Sequence, residues 1–220
     1  MAETVSAQIS RLLDFLTVER GLSKNTLEAY RRDLARYSRY LAQRGIGDAT
    51  QVDEATVAGF VASLSGAEYA EGKRYRASSV ARALAAVRGL HAFLLREGNV
   101  AADPAEGVAR PKVPKNLPRP LPLADVEAIL AGPSDRDVAS TRDRAILETL
   151  YGAGLRISEL VGLDVDDVDL EEGSVRVLGK GSKERVVPLG RVAAKAVGAY
   201  LSRSRPTLAS ATSGPALFLN

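Results

Sequence analysis

The sequence predicts a mainly α fold with a small β-hairpin or sheet, divided into two domains. Three observations carry that expectation. Four segments in the first half repeat apolar residues at spacings of three and four, a proline-rich stretch then breaks the pattern, and one alternating segment broken by glycines follows it. At 220 residues and 45% hydrophobic, the chain has enough apolar material to bury a substantial core in one large or two small domains.

The first helix is expected over about Thr4 to Arg20, with Val5, Ile9, Leu12, Leu13 and Leu16 on one stripe and Gly21 ending it. The second starts at Ser23 as N-cap and carries Leu27, Tyr30, Leu34, Tyr37 and Leu41 toward Gly45. A shorter third begins after Asp53 and uses Val57, Phe60, Val61 and Leu64. The fourth, about Ser78 to Arg96, uses Val80, Leu84, Val87, Leu90 and Leu94. Four amphipathic helices imply a small bundle over 1–108. Ala109 to Pro122 holds five of the ten prolines and four basic residues with no acidic one, so 109–122 reads as a stiff basic linker.

Beyond it, 123–220 mixes signals. Asp125 to Ala131 and Thr141 to Tyr151 read as helices, the latter capped by Thr141 with Ile146, Leu147, Leu150 and Tyr151 inward. Val175 and Val177 alternate with polar residues, Gly179 and Gly181 bracket Lys180, and Arg185 to Leu189 resumes an apolar run: a hairpin. Gly190 to Arg203 returns to helical spacing, and PALFLN begins a further element.

The absence of cysteine excludes disulfides, thiolate nucleophiles and Cys-based metal sites and fits a reducing cytoplasm. Glu3 near the start and charges within every apolar run argue against a signal peptide or a membrane span. The formal charge is only +3, yet it is unevenly placed. In the second helix Lys24, Arg31, Arg32, Arg36, Arg39 and Arg44 face only Glu28 and Asp33, a local +4. Lys73, Arg74 and Arg76, with Tyr75 among them, precede the fourth helix, which adds Arg82 and Arg88. An ordinary solvated helix face explains any one of these clusters. Together with the linker they fit a phosphate polyanion, because guanidinium pairs bidentately with phosphate and releases condensed counterions.

Arg156 sits after Gly152 and Gly154 among apolar neighbours, where burial is costly unless a carboxylate or ligand phosphate meets it. Glu159, three residues on, supplies a carboxylate on the same helical face, so a plain helix-terminal Arg–Glu pair is the alternative to a functional arginine. For Lys180 the alternative is a solvated turn. A P-loop does not fit, since five residues rather than four separate Gly173 from Gly179 and Gly181 stands where Ser or Thr is needed.

The order of GAGLRISEL, an Asp-rich spacer and SVRVLGKGSKERVVPLG resembles the tyrosine recombinases, and LSKNTLEAYRRDL with the basic proline-rich linker is similar to their Xer branch. The resemblance implies a core-binding, SAM-like helical domain that clamps DNA, followed by the first part of a mixed α+β catalytic domain. It implies that Arg156 binds the scissile phosphate and stabilises the pentacoordinate transition state, with Glu159 supporting it, and that Lys180 protonates the departing 5′-oxygen. It further implies that Lys183 and Arg185 contact backbone phosphates, that no metal or cofactor is needed, and that a tyrosine forms a 3′-phosphotyrosyl intermediate. The implied partners are double-stranded DNA carrying a recombination site, a tetramer with a paralogous recombinase when the protein is intact, and a cell-division DNA translocase. The implied task is resolving chromosome dimers at cell division.

Two family features are not matched. The pattern continues past the hairpin with His-x-x-Arg and the nucleophilic tyrosine, but the one histidine, His91, precedes Arg156 and has Leu94 rather than Arg three residues on. Beside Leu90 and Phe93 it reads as a core or groove-lining residue. Only Tyr200 follows Lys180, within an apolar helix where core packing is the ordinary role. The chain is therefore expected to be inactive by itself, and a DNA-binding fragment occupying a recombination site is the alternative to an enzyme.

Overall fold

The computed structural model describes residues 3–66, 68–70, 73–114, 117, 119–134, 136–179, 181 and 183–220, with the backbone alone at 68–70 and 73. It forms two compact units, Met1–Leu117 and Pro118–Asn220, which divide within the proline-rich stretch.

The first unit is built from α1 (Val5–Val18), α2 (Lys24–Ala42), α3 (Glu54–Gly66) and α4 (Ala77–Arg96). Thr4, Ser23 and Asp53 each accept a backbone N–H three residues on, so the predicted starts of α1 and α2 hold. Leu12, Leu34, Tyr37, Leu41, Val57, Phe60, Leu84, Val87, Leu90 and Leu94 form the core, and Ala105 and Val108 from the segment after α4 close it. Between α3 and α4 the chain makes a short antiparallel ladder of β1 (Glu68–Ala70) and β2 (Lys73–Arg74), which the sequence reading did not anticipate.

In the second unit, α5 (Leu123–Ala131) and α6 (Val138–Ala153) precede a tight joint at Gly154, whose φ of 60° suits glycine. Then come α7 (Ile157–Val161), β3 (Val168–Asp169), β4 (Ser174–Leu178), β5 (Glu184–Pro188), α8 (Arg191–Ala199), a π-helical turn over Tyr200–Ser204, and α9 (Arg205–Leu208). The expected hairpin is present, with Val175 opposite Val187 and Val177 opposite Arg185, and β3 adds a third strand on the β4 edge.

Three expectations in this unit need correcting. Asp137, not Thr141, caps α6; Thr141 lies one turn in, where its hydroxyl donates to the Asp137 carbonyl. On α6, Ile146 and Leu150 pack against the core as expected beside the buried Thr141, Ala145, Glu148 and Thr149, but Tyr151 is 58% exposed. Close approach is the reason. A Cβ on Gly152 would stand 2.8 Å from the Leu189 carbonyl oxygen and 3.2 Å from the Ala193 Cβ, so the seam with α8 admits small residues only. PALFLN, expected to begin a further element, adds only an isolated bridge: Ala216 pairs with Asp164, and Leu217 and Leu219 are buried.

Tyr200 is fully buried beside Phe218, and its hydroxyl accepts the Leu219 backbone N–H at 2.9 Å. His91 is equally buried, with Nε2 2.9 Å from the Tyr37 hydroxyl. Burial holds its pKa down to about 4, so it is a neutral core residue at physiological pH.

Candidate functional site

The geometry around Arg156 reverses the expected burial. The arginine side chain is 71% exposed, and the Glu159 carboxylate beneath it is 3% exposed. Arg156 is the N-cap of α7, where its backbone N–H donates to Glu159 Oε2 at 2.9 Å and its Nη1 to Oε1 at 2.9 Å. The desolvation cost therefore falls on the carboxylate, which meets it with several donors.

Two further donors arrive from the hairpin. Arg185 donates from Nη1 to Oε1 at 2.9 Å and from Nη2 to Oε2 at 3.0 Å. Local sequence pattern gives no hint of this pair, because the residues are 26 apart, but strand alternation does. Arg185 opposes Val177, the pleat turns both to the same face, and Val177 is buried. Gly179 makes room: a Cβ there would lie 2.9 Å from Arg185 Nη1 and 3.6 Å from Glu159 Oε1. One carboxylate thus binds both the Gly154 joint and the hairpin, leaving most of Arg156 facing outward. Lys180 lies outside the described residues, and Lys183 is exposed beside the turn.

Hydrogen bonds from Arg185 and then from the Arg156 backbone and guanidinium hold the Glu159 carboxyl down to about 2 from its usual 4.5, against the opposing effect of burial. A carboxyl lowered on folding stabilises the folded state above its unfolded value, and this contribution is lost as the pH falls from 4.5 to about 2. Glu159→Gln is expected to flatten that limb of the stability profile and to speed hydrogen exchange at Val177 and Val187. Thermal unfolding across the interval, with amide exchange, checks it; an unchanged acid limb would count against the carboxylate's role.

In the first unit the basic residues converge from two helices. Asp33 on α2 is buried and takes Arg36 at 2.6 Å on one oxygen and Arg82 of α4 on the other. Burial raises the Asp33 pKa, opposed by Arg82, Arg36 and Arg32. Arg36 also lies over the Tyr75 ring, 5.2 Å from its centroid, which draws in the segment carrying Arg74 and Arg76. Lys24, Arg31, Arg32, Arg74, Arg76 and Arg82 are exposed, and of Lys73 only the backbone is described. Arg88 does not extend this face. Its guanidinium donates to the carbonyls of Ala105 and Val108 and ties down the segment after α4.

Comparisons with known proteins agree with the two units. Residues 9–98 match the phage integrase N-terminal SAM-like domain, and residues 120–220 match the phage integrase family. The chain is 46% identical to tyrosine recombinase XerD of Mycobacterium tuberculosis strain H37Rv, over 99% of its own length and 72% of that protein's. Among solved structures it resembles the XerH site-specific recombinase bound to a palindromic difH substrate, with a TM-score of 0.68 and 19% identity over 97% of this chain and 62% of that one. A λ integrase tetramer on a Holliday junction gives a TM-score of 0.66 at 16% identity over 90% and 54% of the two chains. These structures share the fold. Matched in both domains and close to a relative along nearly its whole length, the chain belongs to the phage integrase family, the tyrosine recombinases.

Proposed function

We propose that this chain acts in XerD-type site-specific recombination, the first unit clamping duplex DNA and the second placing Arg156 and Lys180 at the scissile phosphate. The observation that carries the proposal is the outward-facing Arg156 guanidinium, held at a glycine joint by a buried carboxylate that also grips the hairpin. A fixed, permanently charged donor is what a pentacoordinate phosphorane needs, since its extra charge develops on the non-bridging oxygens. Lys180, two residues beyond β4, would deliver the proton that the departing 5′-oxygen requires. Arg185 and Glu159 act as positioning residues, and Lys183 meets the DNA backbone.

The clamp is assigned to Lys24, Arg31, Arg32, Arg36, Lys73, Arg74, Arg76 and Arg82. Chromosome-dimer resolution, in a tetramer with a paralogous recombinase and under a cell-division translocase, is the biological task assigned to the intact enzyme. The attacking tyrosine and the His-x-x-Arg motif are assigned to sequence outside these 220 residues, because no histidine follows Arg156 and Tyr200 is fully buried.

The test is a suicide substrate carrying a Xer-type site, scored by binding at two salt concentrations and by denaturing electrophoresis. The expected result is salt-sensitive binding without covalent product, with binding weakened in Arg31→Gln/Arg32→Gln and its salt slope lowered by about 2. A covalent protein–DNA product would overturn the placement of the nucleophile. Absence of binding at low salt would overturn the clamp.

A further inference from the structure

The seam between α2 and α4 of the first unit holds a carboxylate to which the clamp as assigned above gives no role. The Asp33 side chain is 1% exposed, on the turn of α2 that sends Leu34 and Tyr37 into the core. Its two oxygens serve both helices. Arg36, one turn on, donates from Nη1 to Oδ1 at 2.6 Å, and Arg82 of α4 donates from Nη1 to Oδ2. The helices that carry the two arginines approach closely, since a Cβ on Gly89 of α4 would stand 3.2 Å from the Tyr30 ring of α2.

Stability alone does not call for a carboxylate at this place. Charged groups lose hydration on burial, and apolar side chains of similar volume in place of a buried ion network are often neutral or stabilising. What an apolar residue could not do is hold two guanidiniums. The Arg36 and Arg82 side chains remain 29% and 45% exposed, so both still reach outward from the carboxylate that holds them. A guanidinium carries five N–H donors, and the bond to Asp33 takes one from each. The Tyr75 ring, 5.2 Å from the Arg36 guanidinium, gives that arginine a second support. Two guanidiniums against one carboxylate leave the group net positive.

We infer that Asp33 is a positioning residue for phosphate binding, which holds Arg36 and Arg82 side by side across the α2–α4 seam before DNA arrives. This role rests on the clamp proposed above. An arginine that is already ordered loses less rotamer freedom when the phosphate comes, so more of the pairing energy appears as affinity.

The test turns on a sign. Asp33→Asn removes a negative charge from the basic face, so if the carboxylate merely neutralised its neighbours the variant would bind DNA more tightly. If Asp33 positions them, binding weakens although the net charge has risen. Fluorescence anisotropy of the full chain with a duplex carrying a Xer-type site, at one fixed salt concentration, is expected to show binding weaker by about fivefold or more, the effect of two side chains that must be ordered anew. In the Arg36→Gln/Arg82→Gln background the same substitution is expected to change binding by less than about twofold, because Asp33 acts through these two arginines. A merely structural role would weaken both backgrounds alike. Tighter or unchanged binding in Asp33→Asn, or an equal loss in both backgrounds, overturns the inference. Should the variant not fold, relaxation of the arginine Nε–Hε groups in the DNA-free parent decides: Arg36 and Arg82 are expected to be more ordered than the exposed Arg31 and Arg32, and equal mobility overturns the inference too. A parent that does not bind the duplex at low salt sinks the clamp itself, whereas a parent that binds no better than Asp33→Asn sinks only the role of Asp33.

Discussion

Tyr200→Ala is expected to destabilise the second unit by about 3–5 kcal/mol, the cost of emptying a fully buried aromatic site. Tyr200→Phe keeps the ring but leaves the Leu219 N–H unpaired, a smaller loss of about 1–3 kcal/mol. Urea unfolding of both variants separates these effects, with the midpoint for Ala well below that for Phe. The comparison also bears on chemistry, because a catalytic tyrosine would tolerate loss of its hydroxyl with little change in stability. If Phe matches the parent, Tyr200 is not the core anchor described above.

Acidification should weaken the first unit separately. The His91 pKa falls from 6.5 to about 4 through burial, so folding favours the neutral ring. For a base lowered in this way, the stabilisation is complete above pH 6.5 and drains away as the pH falls to about 4. At about 1.4 kcal/mol per pH unit, the loss comes to about 3 kcal/mol, a large share of a small domain's stability. His91 is the single histidine, so its ring proton resonances report the titration without ambiguity. A midpoint near 6.5 in the folded protein would refute the buried neutral ring. His91→Phe should remove the acid dependence between these limits, at the cost of an unpaired Tyr37 hydroxyl.

What the sequence disclosed follows from how local each determinant is. Helices α1, α2 and α4 were legible because their apolar stripes are continuous and Ser23 stands as the cap of α2. The hairpin was legible from the alternation of Val175 and Val177 and from its glycines. On α6, Ile146 and Leu150 were legible, but Tyr151 was turned inward because periodicity weighs apolar bulk, whereas the close approach beside it is made by Gly152 against Leu189 and Ala193. The short β1–β2 ladder carries mostly charged and small residues and gave no strand signal. In the candidate site, Arg156 and Glu159 stood three apart and were readable as a pair. The second partner was not, because Arg185 meets Glu159 only after the hairpin has folded back. Arg185, Val187 and Leu189 do follow a two-residue period, so the inward turn of Arg185 was encoded in ERVVPL beside its more obvious apolar run.

The burial of Leu217 and Leu219 bears on how the protein is made. The first unit packs Ala105 and Val108 into its core, whereas in the second Leu217 joins the core and the Leu219 amide reaches Tyr200. On a ribosome releasing the chain from its N-terminus, the helical first unit emerges whole and folds while the second unit is still being synthesised. Until residue 219 clears the exit tunnel, Tyr200 lacks its Leu219 partner and the core lacks Leu217. A stall shortly before that point would leave a folded first unit joined to a second that still lacks Leu217 from its core, a form more exposed to proteolysis.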